Sequence, residues 1–175
     1  GLGAIAYARG ANGDATRLFQ QSVRARDNAL AHYNLGRTFA SERRLDEAVA
    51  QYEAALAMKS DDPDVHVGLG AVLMERGQAS AAVAHYRDAL RIKPNLVSAM
   101  TNLAWIPATS PDASVRQPVE AVRLAEEAVR LTEARNAIIL DTLAVSYFEA
   151  GRSGDAVRTA RAAVHRAITD HDEAT

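Results

Sequence analysis

The stretch ALAHYNLGRTFASERRLDEAVAQYEAALAMKSDD (29–62) runs directly into PDVHVGLGAVLMERGQASAAVAHYRDALRIKPNL (63–96). Laid one over the other, these 34-residue stretches put Leu35-Gly36 on Leu69-Gly70, Ala48 on Ala82, Tyr52 on Tyr86 and Ala55-Leu56 on Ala89-Leu90. His32 falls on His66, three residues before each Leu. One offset held across both halves of a unit marks a repeat array. Leu103-Ala104 opens a further copy, which continues after an insertion in Ala121, Ala125 and Ala128-Val129. Leu143-Ala144, Tyr147, Gly151, Ala156, Ala160 and Ala163-Val164 carry the last copy, while Leu2-Gly3, Gly10, Ala15, Phe19 and Val23 fit a copy that lacks its beginning. About five units result, at 1–28, 29–62, 63–96, 97–135 and 136–169, the first truncated, in one array over 1–175.

Each unit reads as two helices and a tight turn. In 63–96, Asp62 suits a cap and Pro63 the first helical position, where its missing N–H costs nothing. Val65, Leu69, Val72 and Leu73 recur at helical spacing, Gly77 offers the left-handed conformation of a helix end, and Ala82, Tyr86, Ala89 and Leu90 stripe the second helix before Pro94. The expected helices are Leu2–Arg9, Asp14–Ala25, Ala29–Ser41, Leu45–Met58, Pro63–Glu75, Ser80–Ile92, Asn95–Ile106, Pro118–Leu131, Asn136–Ala150 and Gly154–Ile168. Gly36, Gly70, Ala104 and Ala144 are expected to face Ala48, Ala82, Ala121 and Ala156 on the partner helix, letting the two helices approach closely. Pro107 is expected to end its helix early, and the segment from Pro107 to Pro118 to form a lengthened surface turn or a loop that touches a partner.

The aromatic, Leu-Gly, Tyr, Ala and Pro positions over 34 residues resemble the tetratricopeptide repeat. His32 and His66 stand in place of its first aromatic, and Ser60 in place of the terminal Pro that Pro94 supplies. The resemblance covers essentially the whole chain. It implies an all-α fold, an α-solenoid with a right-handed superhelix whose concave side is lined by the first helix of each unit. Around Asn102-Leu-Ala-Trp105 and Ser110-Pro-Asp it resembles a variant unit of bacterial repeat proteins.

Positions on those first helices that do not serve packing are the binding candidates. Tyr33, Asn34 and Arg37 come from one unit, Val67, Ala71 and Met74 from the next, Thr101, Asn102 and Trp105 from the fourth, and Asp141 from the fifth, with Leu30, Asp64, Ser98, Ile138, Thr142 and Val145 beside them. An Asn amide both donates to and accepts from an extended peptide backbone, and an Arg grips a carboxylate in bidentate fashion. The duller reading of Arg37 is a solvated charge paired with Glu42 or a neighbour. Trp105 is the only Trp, read first as a plug of the core beside the insertion and second as a binding anchor. Some tetratricopeptide domains hold a C-terminal carboxylate with Lys, Asn and Arg side chains. Val67, Gly68 and Ala71 supply no such donors, so that specificity does not carry over.

With 20 basic and 22 acidic residues the net charge is −2, which gives no phosphate-binding excess and no expectation of nucleic acid as partner. The absence of Cys removes disulfides, thiolate metal sites and cysteine nucleophiles. No apolar run approaches the roughly 20 residues of a membrane span, and the compartment stays open between cytoplasm and periplasm. The 5 His residues do not pair at metal-ligand spacing on any one helix, so His32 and His66 read as packing residues. His165, Asp170 and His171 read as a polar tail, and Glu126-Glu127 and Asp61-Asp62 as exposed or capping carboxylates. No catalytic set, metal or cofactor is expected.

A protein or peptide ligand held in the groove of a scaffold or adaptor is therefore the leading expectation. One alternative is the substrate-recognition arm of a larger enzyme, such as a glycosyltransferase, since the chain opens at Gly1-Leu2-Gly3 without Met and reads as a piece of something longer. Another is self-association through the terminal repeats into a homo-oligomer.

Overall fold

The computed structural model describes residues 12–25, 28–109 and 117–172. Among these residues there are nine α-helices and no strand: α1 (Asn12–Ala25), α2 (Ala29–Ser41), α3 (Leu45–Met58), α4 (Pro63–Glu75), α5 (Ala79–Ile92), α6 (Val97–Thr109), α7 (Pro118–Leu131), α8 (Ala137–Glu149) and α9 (Ser153–Asp172). The fold class is the expected all-α solenoid type. The chain divides into two compact units, Gly1–Ile92 and Lys93–Thr175.

Local chemistry sets the helix ends. The side chain of Asn28 accepts from the Ala31 N–H, that of Asp62 from the Asp64 N–H ahead of Pro63, and that of Asn136 from the Ile138 and Ile139 N–H groups. Each satisfies orphan donors that a helix start would otherwise leave bare. After α4 and α8 the chain turns through Gly77 and Gly151, both at φ 74°. After α2 the same geometry falls to Arg43 (φ 62°), and after α7 to Glu133 and Ala134 (φ 52° and 56°). These three positions carry no Gly signal, and the turn closes on them all the same.

Most helix bounds fall where the hydrophobic period put them. The expected helix Leu2–Arg9 lies outside the described residues, as does the greater part of the segment between Pro107 and Pro118. One expectation is corrected: Pro107 does not end its helix, which runs to Thr109. A proline in a last turn gives up a single i→i−4 bond and leaves the following N–H groups free to make theirs, so the helix survives two residues further. The last helix extends past Ile168 to Asp172.

In the first unit α1 packs on α2, α2 on α3, α3 on α4 and α4 on α5, and the first helices α2 and α4 also touch. Leu35, Leu69, Tyr52 and Tyr86 are buried, and Ala48, Ala55, Ala82 and Ala89 are fully enclosed. The small residues do meet a partner helix, but what stands over the glycines is aromatic. A Cβ on Gly36 would lie 2.9 Å from Cδ1 of Tyr52, and one on Gly70 would lie 2.9 Å from Cε1 of Tyr86. Tyr52 is confined on a second side too, since a Cβ on Gly68 would lie 2.8 Å from its Cζ. Both rings are thus seated in slots that only glycine leaves open. In the second unit α6 packs on α7, α7 on α8, α8 on α9, and α6 on α8, around Leu103, Ile106, Ala121, Leu124, Ala125 and Leu143. The polar residues buried with them back-bond within their helices: Thr142 donates to the Ile138 carbonyl (3.0 Å) and Ser146 to that of Thr142 (2.8 Å).

Candidate functional site

The packing stripes use one side of each first helix and leave another. On α2, Tyr33, Asn34 and Arg37 share the unused side, as do Val67, Ala71 and Met74 on α4, Thr101, Asn102 and Trp105 on α6, and Asp141 on α8. Tyr33, Asn34, Val67, Met74, Thr101 and Asn102 are half-buried, while Arg37, Ala71, Trp105 and Asp141 are exposed. None of the ten lies in the core. Unit 1 brings six of them onto two touching helices, and unit 2 brings the other four onto its own touching pair.

In unit 1 the Tyr33 ring is tilted against Tyr52 (centroids 6.1 Å apart, 48°), and the Arg37 guanidinium sits 5.6 Å from the Tyr33 centroid. The Tyr33 ring thereby has both an aromatic ring and a cation as neighbours. Glu42 accepts from Thr16 Oγ1 (2.7 Å) and from Arg44 (2.9 Å). Next to Tyr33 opens a cleft of about 430 Å³ lined by Asn28, Ala29, Leu30, Tyr33, Lys59 and Asp62, with Leu30 66% exposed. Lys59 and Asp62 form an ion pair across 3.1 Å, and its hydrogen bond raises the Lys59 pKa. These two cleft residues are invisible to a reading confined to the first helices, because they sit in the turn between repeats.

Unit 2 corrects two expectations. Trp105 does not plug the core: it is 42% exposed, because the α6 stripe already buries Met100, Leu103, Ala104 and Ile106. Thr142 is 3% exposed and faces inward. Thr101 Oγ1 donates to the Val97 carbonyl at 2.9 Å, which commits its proton to its own helix. Asp141 stands between two apolar clefts of the α8–α9 pair, one of about 280 Å³ with Val145, Phe148 and Val157, the other of about 320 Å³ with Ile138 and Val164. Ile138, Phe148, Val157, Val164 and Ile168 leave this face strongly apolar. On the far side, Tyr147 donates to Glu126 (2.8 Å), and burial followed by that bond raises its phenol pKa.

One cluster of titratable side chains has no counterpart among the expectations. His66 on α4 meets His85 and Asp88 on α5, with one ligand atom of each within 4.8 Å of the others. The two rings lie 5.3 Å apart between centroids. Burial, and then the neighbouring His66, holds His85 below the ordinary imidazole pKa. A search for paired histidines on a single helix misses this, since the residues are 19 apart and meet only across the hairpin.

The sequence model described as tetratricopeptide repeat matches residues 1–63 and 33–96. No curated protein matches the chain. Among solved structures, a crystal structure of MamA superposes with a TM-score of 0.80 at 14% identity, over 98% of each chain. YrrB, a TPR protein with an unusual peptide-binding site, gives 0.74 at 17% identity over 94% of this chain and 82% of its own. TTC0263, a thermophilic TPR protein of Thermus thermophilus, gives 0.71 at 20% identity over 98% and 91%. These likenesses are of fold. No helix among the described residues is long and apolar enough to cross a membrane.

Proposed function

The chain belongs to the tetratricopeptide-repeat family, and on that footing we propose that it is a non-enzymatic interaction module that holds a peptide or partner protein on the first-helix faces of its repeats. One observation carries the reading. Leu35, Leu69 and Leu103 are buried by packing, while Tyr33, Asn34, Arg37, Asn102 and Trp105 on the same helices remain wholly or partly accessible. Tyr, Trp and Arg are the side chains in which binding energy concentrates, and the two aromatics give large contact area with few rotors to freeze. Helices braced by packing add rigidity, so little ordering entropy opposes binding. A peptide-binding site on the same fold in YrrB supports the choice of ligand class.

The test is selection of peptides from a displayed library on the immobilised chain, followed by affinity measurement on variants. Asn34→Ala with Arg37→Ala, and separately Trp105→Ala, are expected to weaken selected binders about 30-fold or more, the equivalent of roughly 2 kcal/mol, at unchanged thermal midpoint. Binders indifferent to all three changes would remove the face from consideration.

A second reading, self-association, is supported by the apolar face of α8 and α9, where Ile138 is 74% exposed beside Phe148 and Val164. Contiguous apolar surface of this kind marks an interaction site. Light scattering across a concentration series is expected to show mass rising with concentration and Phe148→Glu to abolish the rise; a constant monomer mass in the unaltered chain rejects it.

A further inference from the structure

We propose that His66, His85 and Asp88 form a binding site for one divalent transition-metal ion of the zinc class, clipping α4 to α5 within the first unit. His85 and Asp88 are three residues apart on α5, so they share a face one turn apart. His66 enters from α4, and its Nδ1 lies 3.1 Å from Nδ1 of His85. Two nitrogens on a tetrahedral zinc ion, each bonded at roughly 2.0–2.1 Å, stand about 3.3 Å apart. The imidazole pair is therefore already at ligand spacing, and Asp88 closes the set by side-chain rotation from within 4.8 Å.

The proton placement fits a ligand. His66 Nε2 lies 3.1 Å from the Ser60 carbonyl oxygen. A carbonyl only accepts, so Nε2 carries the hydrogen and Nδ1 turns its lone pair toward His85. Bonding of the second ring nitrogen to a backbone carbonyl is the arrangement by which metal-binding histidines are oriented and fixed in tautomer. Asp88 also accepts from Arg91, through Oδ1 (3.1 and 3.3 Å), which leaves its other oxygen for a metal. Glu53 lies near enough to add negative potential at His85.

An ordinary imidazole–imidazole hydrogen bond accounts for the 3.1 Å contact alone, and the repeat-related positions separate the two explanations. Thirty-four residues earlier, His32 Nδ1 meets Gln51 Oε1 at 2.7 Å, and Ala54 stands where Asp88 stands. A neutral amide meets that Nδ1. Residues 63–96 replace the amide with a second imidazole and the methyl with a carboxylate, the two changes that a metal requires and a hydrogen bond does not. Two imidazoles and one carboxylate suit zinc and its neighbours, whereas calcium and magnesium prefer all-oxygen shells. His85 and Asp88 are half-buried, so a fourth position opens to water.

Untagged chain stripped with chelator and titrated with Zn²⁺ by calorimetry is expected to bind one ion, with a rise in thermal midpoint on addition of the metal. His85→Gln copies the neighbouring repeat. It is expected to fold like the parent and to lose more affinity than the roughly 10–100-fold that removal of a supporting hydrogen bond costs. Asp88→Ala, a change at a half-buried helix position, is expected to weaken binding at least about 10-fold, while His32→Gln and His165→Gln leave it intact. Absence of binding by the parent chain overturns the proposal. So does binding undiminished in both His85→Gln and Asp88→Ala, since the ion then sits elsewhere.

Discussion

Segments 29–62 and 63–96 occupy the same frame, and their interiors are nearly interchangeable. Gly36 receives Tyr52 as Gly70 receives Tyr86, each ring 2.9 Å from where a Cβ would stand. Outside those slots the two part ways. His32–Gln51 is a hydrogen-bonded pair, whereas His66–His85 is joined by a carboxylate; the turn is made by Arg43 in one and Gly77 in the other. Packing thus fixes a few positions per repeat, while chemistry varies at the rest. Anything that distinguishes one repeat from the next as a binding element must be sought among residues the frame does not use.

The likeness breaks first where the interiors are supposed to match. Tyr52→Ala and Tyr86→Ala are each expected to cost about 3–5 kcal/mol, the range for removing a buried aromatic ring, in urea unfolding monitored by circular dichroism. A difference of several-fold between them would show that the two slots are not equivalent. Next come Gly36→Ala and Gly70→Ala, each about 1–3 kcal/mol by overpacking against a ring that cannot withdraw; a neutral result for either would mean that its ring relaxes. The turns should behave unequally. Gly77→Ala forces a side chain into the left-handed region at roughly 1 kcal/mol. Arg43→Ala already starts there and loses only an exposed ion pair with Glu75 (2.9 Å), an effect expected below about 0.5 kcal/mol. Equal losses at the two turns would contradict this reading of their geometry.

The array is legible in the sequence because its signals are local and recur. Leu35, Leu69 and Leu103 mark buried stripes, Asn28, Asp62 and Asn136 mark helix starts, and Gly77 and Gly151 mark turns; each acts through neighbours a few residues away. What meets across a hairpin is less legible. Gly36 and Gly70 show that something comes close, but not that it is a tyrosine ring. The size of Trp105 argues for the core, yet the stripe has no room left for it. Arg43 makes its turn without a glycine, closed by backbone bonds from the Arg43 N–H to the Ala40 carbonyl (3.0 Å) and from the Arg44 N–H to the Phe39 carbonyl (2.9 Å). The pairing of His66 with His85 depends on how two helices are docked, which no spacing along one helix encodes. The ten candidate binding residues all lie outside the core, whereas Lys59 and Asp62, walls of the cleft beside Tyr33, belong to a turn that helical periodicity does not address.

If a shared packing frame holds equivalent side chains at equivalent places, the side-chain chemistry of one repeat should move to its neighbour by substitution alone. Gln51→His with Ala54→Asp writes the His66, His85 and Asp88 set onto His32, and zinc stoichiometry reads the outcome. Two ions per chain, against one in the parent, is the expected result. A correctly folded double variant that still binds a single ion would contradict the claim that the 34-residue frame positions these residues alike.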